Sequence, residues 1–190
     1  SDLKNSGEKG PVKELKPLCR KMAAEGSVLL KNDNGLLPLK DKTKLAVFGR
    51  IQEYYYKSGT GSGGRVNTEK SCSLIEAREK SENIIIDKTL KNIYADWISK
   101  NPFETTTAWA KEPWSQKEMP IDEKTVLNIA KNNDAALILI GRSSGEDHDN
   151  SVKEGSYHLT KEEYDLISKV GLAFKNTIVV LNIGNIVDLS

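Results

Sequence analysis

Two uninterrupted apolar runs constrain the fold of this chain more than any other feature: AALILI at 135–140 and TIVVLNI at 177–183. A strand with one face in water alternates apolar and polar residues, and these runs do not alternate. They therefore predict strands that are covered on both faces, as in a parallel sheet between layers of helices. KLAVF at 44–48 and NIII at 83–86 predict two further strands of the same kind.

Helical patterns separate these strands. Apolar residues recur at helical spacing over 68–80, 88–99 and 123–132. Thr160 followed by Glu163 is the signature of a capping box, in which each side chain satisfies a backbone N–H group at the start of a helix. The stripe of that helix expected to face the core consists of Leu166, Ile167, Val170 and Phe174. Strands that alternate with helices predict an α/β fold, namely a three-layer αβα sandwich with a mostly parallel sheet.

The chain is expected to have two parts. Residues 1–40 are expected to form a lead-in and a linker helix, because apolar residues recur at helical spacing after Pro11. Residues 41–190 predict the sandwich, which we expect to be truncated at its C-terminal side because the chain stops just after a strand, without a covering helix. The segment 101–120 contains two Trp and three Pro, breaks the pattern, and is interpreted as an excursion loop.

Composition excludes several classes of function. The formal net charge is +1 and no basic block with interleaved aromatic residues occurs, so nucleic acid is not an expected partner. No apolar stretch approaches the roughly 20 residues that span a bilayer, so no membrane association is expected. A cytoplasmic location is favoured, with secretion left open because N-terminal processing would remove a leader. Cys19 and Cys72 have no metal-like spacing and predict two reduced, partly buried thiols.

The stretch SGTGSGG at 58–64 matches the dinucleotide-binding pattern G-x-G-x-x-G through Gly59, Gly61 and Gly64. In that fold the glycines leave a strand directly and open a helix, whose N-terminal N–H groups bind the pyrophosphate. Here the motif begins well after the strand at 44–48, so nucleotide binding is disfavoured and no cofactor is expected. The tyrosines at 54–56 instead suggest a loop that borders a pocket.

A second loop, GRSSGEDHDN at 141–150, follows the strand at 135–140 and concentrates charged groups. Glu146, behind the flexible Gly145 and near Asp147 and Asp149, would ionise less readily because like charges disfavour a further negative charge nearby. That is a property of a general acid at neutral pH. From the residues alone, a solvated acidic surface loop is at least as good an interpretation.

Metal binding is not expected at this loop. A calcium loop that started at Asp147 would need Gly at its sixth position and Glu at its twelfth, where Val152 and His158 stand. Zinc would need more ligands than His148 and His158 provide. Both unusual loops nevertheless follow strands of a parallel sheet, and ligands collect outside the carboxyl ends of such strands. We therefore expect the two loops to lie together.

Several segments, in order, resemble the second domain of the family 3 glycoside hydrolases, the β-glucosidase family. They cover most of the chain: AAEGSVLLKNDNGLLPL at 23–39, KLAVFGR at 44–50, YYYKSGTGSGGRVN at 54–67, ALILIGRSSGEDHDN at 136–150, YHLTKEEYDLI at 157–167 and TIVVLNIGNIVDLS at 177–190.

The resemblance implies a two-part retaining β-glycosidase that acts on terminal non-reducing β-D-glucosyl or similar residues. The nucleophilic Asp would lie on a (β/α)₈ barrel that is absent here, and the S-G-E loop would supply Glu146 as the general acid/base. The isolated chain is then predicted to be inactive. The residues expected to contact the carbohydrate lie in the two loops: Tyr56, Ser58, Gly59, Thr60, Gly61, Ser62, Arg142, Ser144, Asp147 and His148.

The chain departs from the S-G-E-G-x-D-R pattern of many relatives at two positions. Asp147 replaces the glycine and Asn150 replaces the arginine. Loss of that cation would remove one influence that holds the loop in place. The rival interpretation is a non-catalytic carbohydrate-binding or structural α/β module, and a nucleotide-binding domain ranks third.

Overall fold

The chain divides into two compact units, residues 1–38 and 39–190. The computed structural model describes residues 15–56, 59–61, 72–79, 83–106, 108 and 111–190. In the first unit, helix α1 (Leu15–Glu25) has no buried residue. The turn that follows is closed by Asn32, whose side chain donates to the Leu37 carbonyl at 2.8 Å and accepts the Leu37 N–H at 3.1 Å.

The second unit is built on a parallel sheet. Its described residues contain four strands, in chain order β1 (Thr43–Phe48), β2 (Ile84–Ile86), β3 (Ala135–Arg142) and β4 (Thr177–Ile183). The spatial order is β2-β1-β3-β4 and every neighbouring pair is parallel. The α/β prediction is confirmed, and each predicted strand lies within one or two residues of its expected bounds.

Four helices follow or precede these strands within the described residues: α2 (Leu74–Glu79), α3 (Lys88–Lys100), α4 (Glu123–Ala130) and α5 (Lys161–Ala173). A single 3₁₀ turn, Arg50–Gln52, follows β1. Helix α2 is shorter than the predicted 68–80, of which 68–71 and 80 lie outside the described residues. It begins at Leu74 because Ser73 and Glu76 form a reciprocal cap, with the Glu76 N–H donating to Ser73 Oγ at 3.1 Å and the Ser73 N–H donating to Glu76 Oε2 at 3.3 Å.

The capping box at the start of α5 is present as predicted. The Glu163 N–H donates to Thr160 Oγ1 at 3.2 Å, and the Thr160 N–H donates to Glu163 Oε2 at 2.8 Å. On the predicted stripe, Leu166, Val170 and Phe174 are buried and Ile167 is partly buried. The box fixes where α5 begins, and the stripe fixes which side of it meets the sheet.

The two inner strands, β1 and β3, are covered on both faces, which explains why their runs do not alternate in polarity. The same prediction was wrong for β4, which has no fully buried residue and exposes Val179. One face of the sheet packs against α3, α4 and α5 through Ala46, Phe48, Ala136, Ile138 and Ile140. The other packs against α2 and the 3₁₀ turn through Leu45, Val47, Leu137 and Leu139. All eight residues of β3 are buried and β3 is one of the two inner strands of the described sheet, so its carboxyl end is held rigidly.

Two smaller expectations have different outcomes. The described part of 101–120 contains no helix or strand, as expected for an excursion loop. The cysteine prediction was wrong in its burial: Cys19 and Cys72 are free but exposed. Cys19 lies on α1, which buries none of its residues, and Cys72 precedes the first residue of α2 that packs on the sheet.

No helix among the described residues combines the length and apolar character needed to cross a membrane.

Candidate active site at the carboxyl edge of the sheet

The loops that follow β1 and β3 meet at one edge of the sheet, as predicted. The two strands are neighbours, with Phe48 opposite Ile138. Beyond them, Thr60 pairs with Gly145 in a short parallel bridge, and the Thr60 N–H donates to the Ser144 carbonyl at 2.6 Å. We call residues 59–61 the glycine loop and residues 143–150 the acidic loop. Backbone pairing therefore gives the two loops a fixed register.

Three glycines make this pairing possible. A Cβ atom at Gly59 would lie 2.7 Å from the Ser144 carbonyl oxygen, and one at Gly145 would collide with the backbone and side chain of Thr60. A Cβ atom at Gly61 would lie 2.6 Å from Glu146 Cβ, and Gly61 also has a φ of +85°. Such contacts are closer than any side chain tolerates, so glycine is required for the two backbones to approach.

Glu146 is exposed and stands directly over Gly61. The distance from the Gly61 Cβ position to Glu146 Oε2 would be 3.2 Å. A tight turn carries the side chain: the His148 N–H donates to the Gly145 carbonyl at 3.3 Å, and Asp147 has a left-handed φ of 56°. The predicted carboxyl group therefore lies at the carboxyl edge of the sheet, beside the glycine loop, with Asp147 exposed next to it.

His148, predicted to contact carbohydrate, turns inward instead of outward. It is 9% exposed and its ring stacks on Trp114, with ring centroids 5.1 Å apart and planes inclined by 27°. The same indole donates from Nε1 to the Asp149 carbonyl at 3.1 Å. His148 Nε2 is buried without a hydrogen-bond partner among the described residues. The imidazole is thus packed against Trp114 inside the loop and is not presented to a ligand.

The acidic loop is also fastened at both ends. Ser143 donates from Oγ to the Pro113 carbonyl at 2.7 Å and from its N–H to the Trp114 carbonyl at 2.7 Å. Asn150 accepts from Ser156 Oγ at 2.5 Å and donates to the Ile186 carbonyl at 2.9 Å. Although the resemblance raised the loss of a cation at position 150 as a cost, the carboxamide ties the end of the loop to two other segments.

Arg142 does not present its side chain to the site, which corrects its predicted role. The residue is 2% exposed and forms a paired ion contact with Glu163, at 2.6 Å for Nη1–Oε1 and 2.7 Å for Nη2–Oε2. Its remaining N–H groups donate to three carbonyls, those of Gly141, Ser156 and His158. All five donors are used within the protein, so Arg142 holds the structure behind the loop and has none left for a sugar.

Tyr56 borders the site from beneath. Its N–H donates to Asn182 Oδ1 at 2.8 Å, and Asn182 returns a bond to its carbonyl at 3.2 Å. Its ring fits against Gly141, where a Cβ atom would lie 2.6 Å from the ring. Burial raises the pKa of Tyr56 to about 12, so its hydroxyl stays protonated. Ser144 is partly buried and packs on Gly184, whereas predicted residues Ser58 and Ser62 lie outside the described residues.

Sequence reasoning gave no role to a buried polar cluster that contains Arg50 and Glu118. Glu118 accepts the N–H groups of Arg50 at 2.9 Å and of Met119 at 2.8 Å. Burial raises the pKa of Glu118 to about 7. The Arg50 guanidinium lies between Trp97 and Phe103, 5.2 Å and 5.1 Å from the two ring centroids. The sequence did offer one signal for this cluster, since Arg50 directly follows the apolar run at 44–48 and Gly49. No local pattern marked Glu118.

The described part of the glycine loop does not have the arrangement of a dinucleotide-binding loop. The N–H of Thr60, central in the glycine loop, is already bonded to the Ser144 carbonyl, and the 3₁₀ turn separates the loop from β1. In the part of the chain that the structure describes, no cluster of His, Cys, Asp or Glu side chains has the arrangement of a metal site. An exposed carboxyl group on a fixed loop is suited instead to proton transfer.

Comparisons with known proteins give a consistent result. Residues 27–190 match the family model of the glycosyl hydrolase family 3 C-terminal domain. The chain is 45% identical over 170 residues to a β-glucosidase of Ruminococcus albus, covering 87% of the chain and 17% of that protein. It is 30% identical over 190 residues to β-glucosidase A of Butyrivibrio fibrisolvens, covering 87% of the chain and 22% of that protein.

Solved structures agree. A β-glucosidase from Paenibacillus barengoltzii superposes with a TM-score of 0.92 at 40% identity, over 95% of this chain and 20% of that one. β-glucosidase 3B from Thermotoga neapolitana, solved in complex with glucose, gives a TM-score of 0.82 at 32% identity, over 93% of this chain and 25% of that one. The chain thus spans about a sixth to a quarter of the length of these relatives.

Proposed function

We propose, from the premise that this chain belongs to the glycosyl hydrolase family 3 C-terminal domain family, that it supplies the general acid/base to a retaining β-glucosidase. The substrate class is terminal non-reducing β-D-glucosyl residues or close analogues. A further module, a (β/α)₈ barrel, would supply the nucleophilic Asp and most of the sugar pocket. The observation that carries the proposal is the placement of Glu146, exposed on a loop whose register is fixed by its pairing with the glycine loop.

In the first chemical step, the nucleophilic carboxylate would attack the anomeric carbon as the bond to the leaving oxygen breaks. Glu146 would give its proton to that oxygen, and the product is a glycosyl ester with the nucleophile. In the second step, Glu146 would take a proton from water while the water oxygen attacks the same carbon and the ester bond breaks. This sequence needs the two carboxyl groups about 5–5.5 Å apart.

The fixed register is what such a role requires. Proton transfer falls off steeply when the donor leaves hydrogen-bond reach of its acceptor, so an acid on a freely moving loop would be inefficient. Here both ends of the acidic loop are bonded to neighbouring segments and its middle pairs with Thr60. Asp147, exposed beside Glu146, and the glycine loop would line the leaving-group side of the pocket.

The test is the Glu146→Ala variant of the full-length protein, assayed on an aryl β-glucoside with and without azide. We expect turnover to fall about 10²–10⁴-fold, and azide to restore part of it by attacking the glycosyl ester without base assistance. Glu154→Ala is the matched control, since it removes an exposed carboxylate outside the acidic loop and should leave turnover nearly unchanged. Unchanged turnover in Glu146→Ala would sink the assignment and favour a non-catalytic carbohydrate-binding or structural module.

A further inference from the structure

Most side chains of the acidic loop are exposed. Gly145, Glu146, Asp147, Asp149 and Asn150 are all exposed, and Ser144 is only partly buried. His148 is the only buried residue in 144–150, all of which the structure describes, so the contact that buries it bears directly on the part of the loop that follows Glu146.

That contact is Trp114, from the excursion loop at 101–120. Its indole contacts two successive residues that follow Glu146. The ring stacks on His148 with the ring centroids 5.1 Å apart, and Nε1 donates to the Asp149 carbonyl at 3.1 Å. A single side chain therefore fixes both the side chain and the backbone of the segment that follows Glu146.

Trp114 is itself anchored to the strand that leads into the loop. Its carbonyl accepts the Ser143 N–H at 2.7 Å, and the Pro113 carbonyl accepts Ser143 Oγ at 2.7 Å. Ser143 directly follows β3, whose residues are all buried. Trp114 thus connects the rigid end of β3, before the turn that carries Glu146, to the residues that follow this turn.

We propose that Trp114 is a positioning residue for Glu146, acting through His148 and Asp149. The inference rests on the proposed function of Glu146. The glycine loop bounds the turn on one side, and the indole of Trp114 holds it on the other. Loss of the indole would let the turn move about Gly145 and would carry the carboxyl group away from the leaving oxygen. A displacement near 1 Å is enough to cost about 100-fold in rate.

The experiment separates proton donation from general damage by varying the leaving group. In the full-length protein, kcat/KM is measured for a 2,4-dinitrophenyl β-glucoside, whose leaving group departs without a proton, and for an alkyl β-glucoside, whose leaving group requires one. This parameter covers the steps up to departure of the leaving group. A misplaced acid should slow the alkyl substrate selectively, whereas a smaller active fraction would slow both equally.

Two variants grade the effect. Trp114→Phe keeps a ring against His148 but removes the N–H donor, and we expect about a tenfold loss on the alkyl glucoside with little change on the dinitrophenyl glucoside. Trp114→Leu removes both contacts and should lose about 100-fold on the alkyl glucoside alone. Trp97→Phe is the matched control, because Trp97 lies on α3 with its ring against Arg50, and it should show no leaving-group dependence.

Glu146→Ala, measured on the same two substrates, separates the two proposals. If it slows the alkyl substrate selectively and both Trp114 variants do not, the positioning role is overturned while the acid/base assignment stands. Equal losses on both substrates in the Trp114 variants would likewise overturn the positioning role and leave Trp114 a folding residue. If Glu146→Ala itself shows no leaving-group dependence, the acid/base assignment fails and the positioning role fails with it.

Discussion

Arg142 and Glu163 form a buried ion pair with two parallel hydrogen bonds, at 2.6 Å and 2.7 Å, between the end of β3 and the first turn of α5. Their side chains are 1% and 5% exposed. Glu163 also closes the capping box, and Arg142 also bonds the carbonyls of Ser156 and His158. The pair therefore joins three pieces of backbone directly behind the acidic loop.

Removal of one partner should destabilise this region strongly. Glu163→Gln leaves the guanidinium of Arg142 buried without its counter-charge, and breaking a buried pair in this way costs about 3–5 kcal/mol. We expect faster native-state hydrogen exchange in peptides that cover β3, the acidic loop and α5. Asp96→Asn is the matched control: it breaks an exposed pair with Lys100 at 2.8 Å, with side chains 68% and 69% exposed, and should change exchange little. Equal exchange in the two variants would contradict the structural role given to Arg142.

Gly61→Ala should lower activity without unfolding the protein. The new Cβ atom would lie 2.6 Å from Glu146 Cβ, and alanine disfavours a φ of +85°. Since the loops must separate to admit it, we expect Glu146 to move and kcat/KM on an alkyl β-glucoside to fall about 10- to 100-fold. Gly171→Ala is the control, because Gly171 lies in α5 and a Cβ atom there meets nothing within 4 Å. It should leave activity unchanged and stabilise α5 slightly. Full activity in Gly61→Ala would show that the two loops do not set the position of Glu146.

Glu118 should make stability depend on pH. Burial raises its pKa in the folded state from 4.5 to about 7. The folded protein therefore binds a proton more tightly than the unfolded chain does, and this contribution is fully present below about pH 4.5 and lost as the pH rises through 7. The full effect is at most about 3 kcal/mol. In Glu118→Gln, which cannot ionise, the decline in the urea midpoint between pH 5 and pH 8 should be smaller than in the wild type.

Glu123→Gln provides the control for this comparison, since Glu123 is exposed in the first turn of α4. Its pH profile should follow that of the wild type. Parallel profiles for the wild type and Glu118→Gln would show that Glu118 keeps its proton, or its charge, throughout this range. They would contradict the link between burial and protonation.

The sequence determined the sheet and most of its helices. An apolar run that does not alternate with polar residues needs cover on both faces of its strand. The strands at 44–48 and 135–140 therefore follow from local composition and periodicity. Thr160 and Glu163 also marked the start of a helix, because the two hydrogen bonds of a capping box join residues only three positions apart. The meeting of the two loops also followed, since neighbouring parallel strands deliver their loops to one edge.

Tertiary structure alone decided which polar residues face the site and which support it. Arg142 and His148 are polar residues of a charged loop and were predicted to contact a ligand, yet one is paired with Glu163 and the other lies on Trp114. Glu118 and Trp114 come from a segment with no periodicity, and their partners lie 68 and 35 residues away at Arg50 and Asp149. Sequence patterns report interactions within a helical turn or along a strand. The burial and pairing of a polar side chain depend on groups that only the folded chain brings within hydrogen-bond distance.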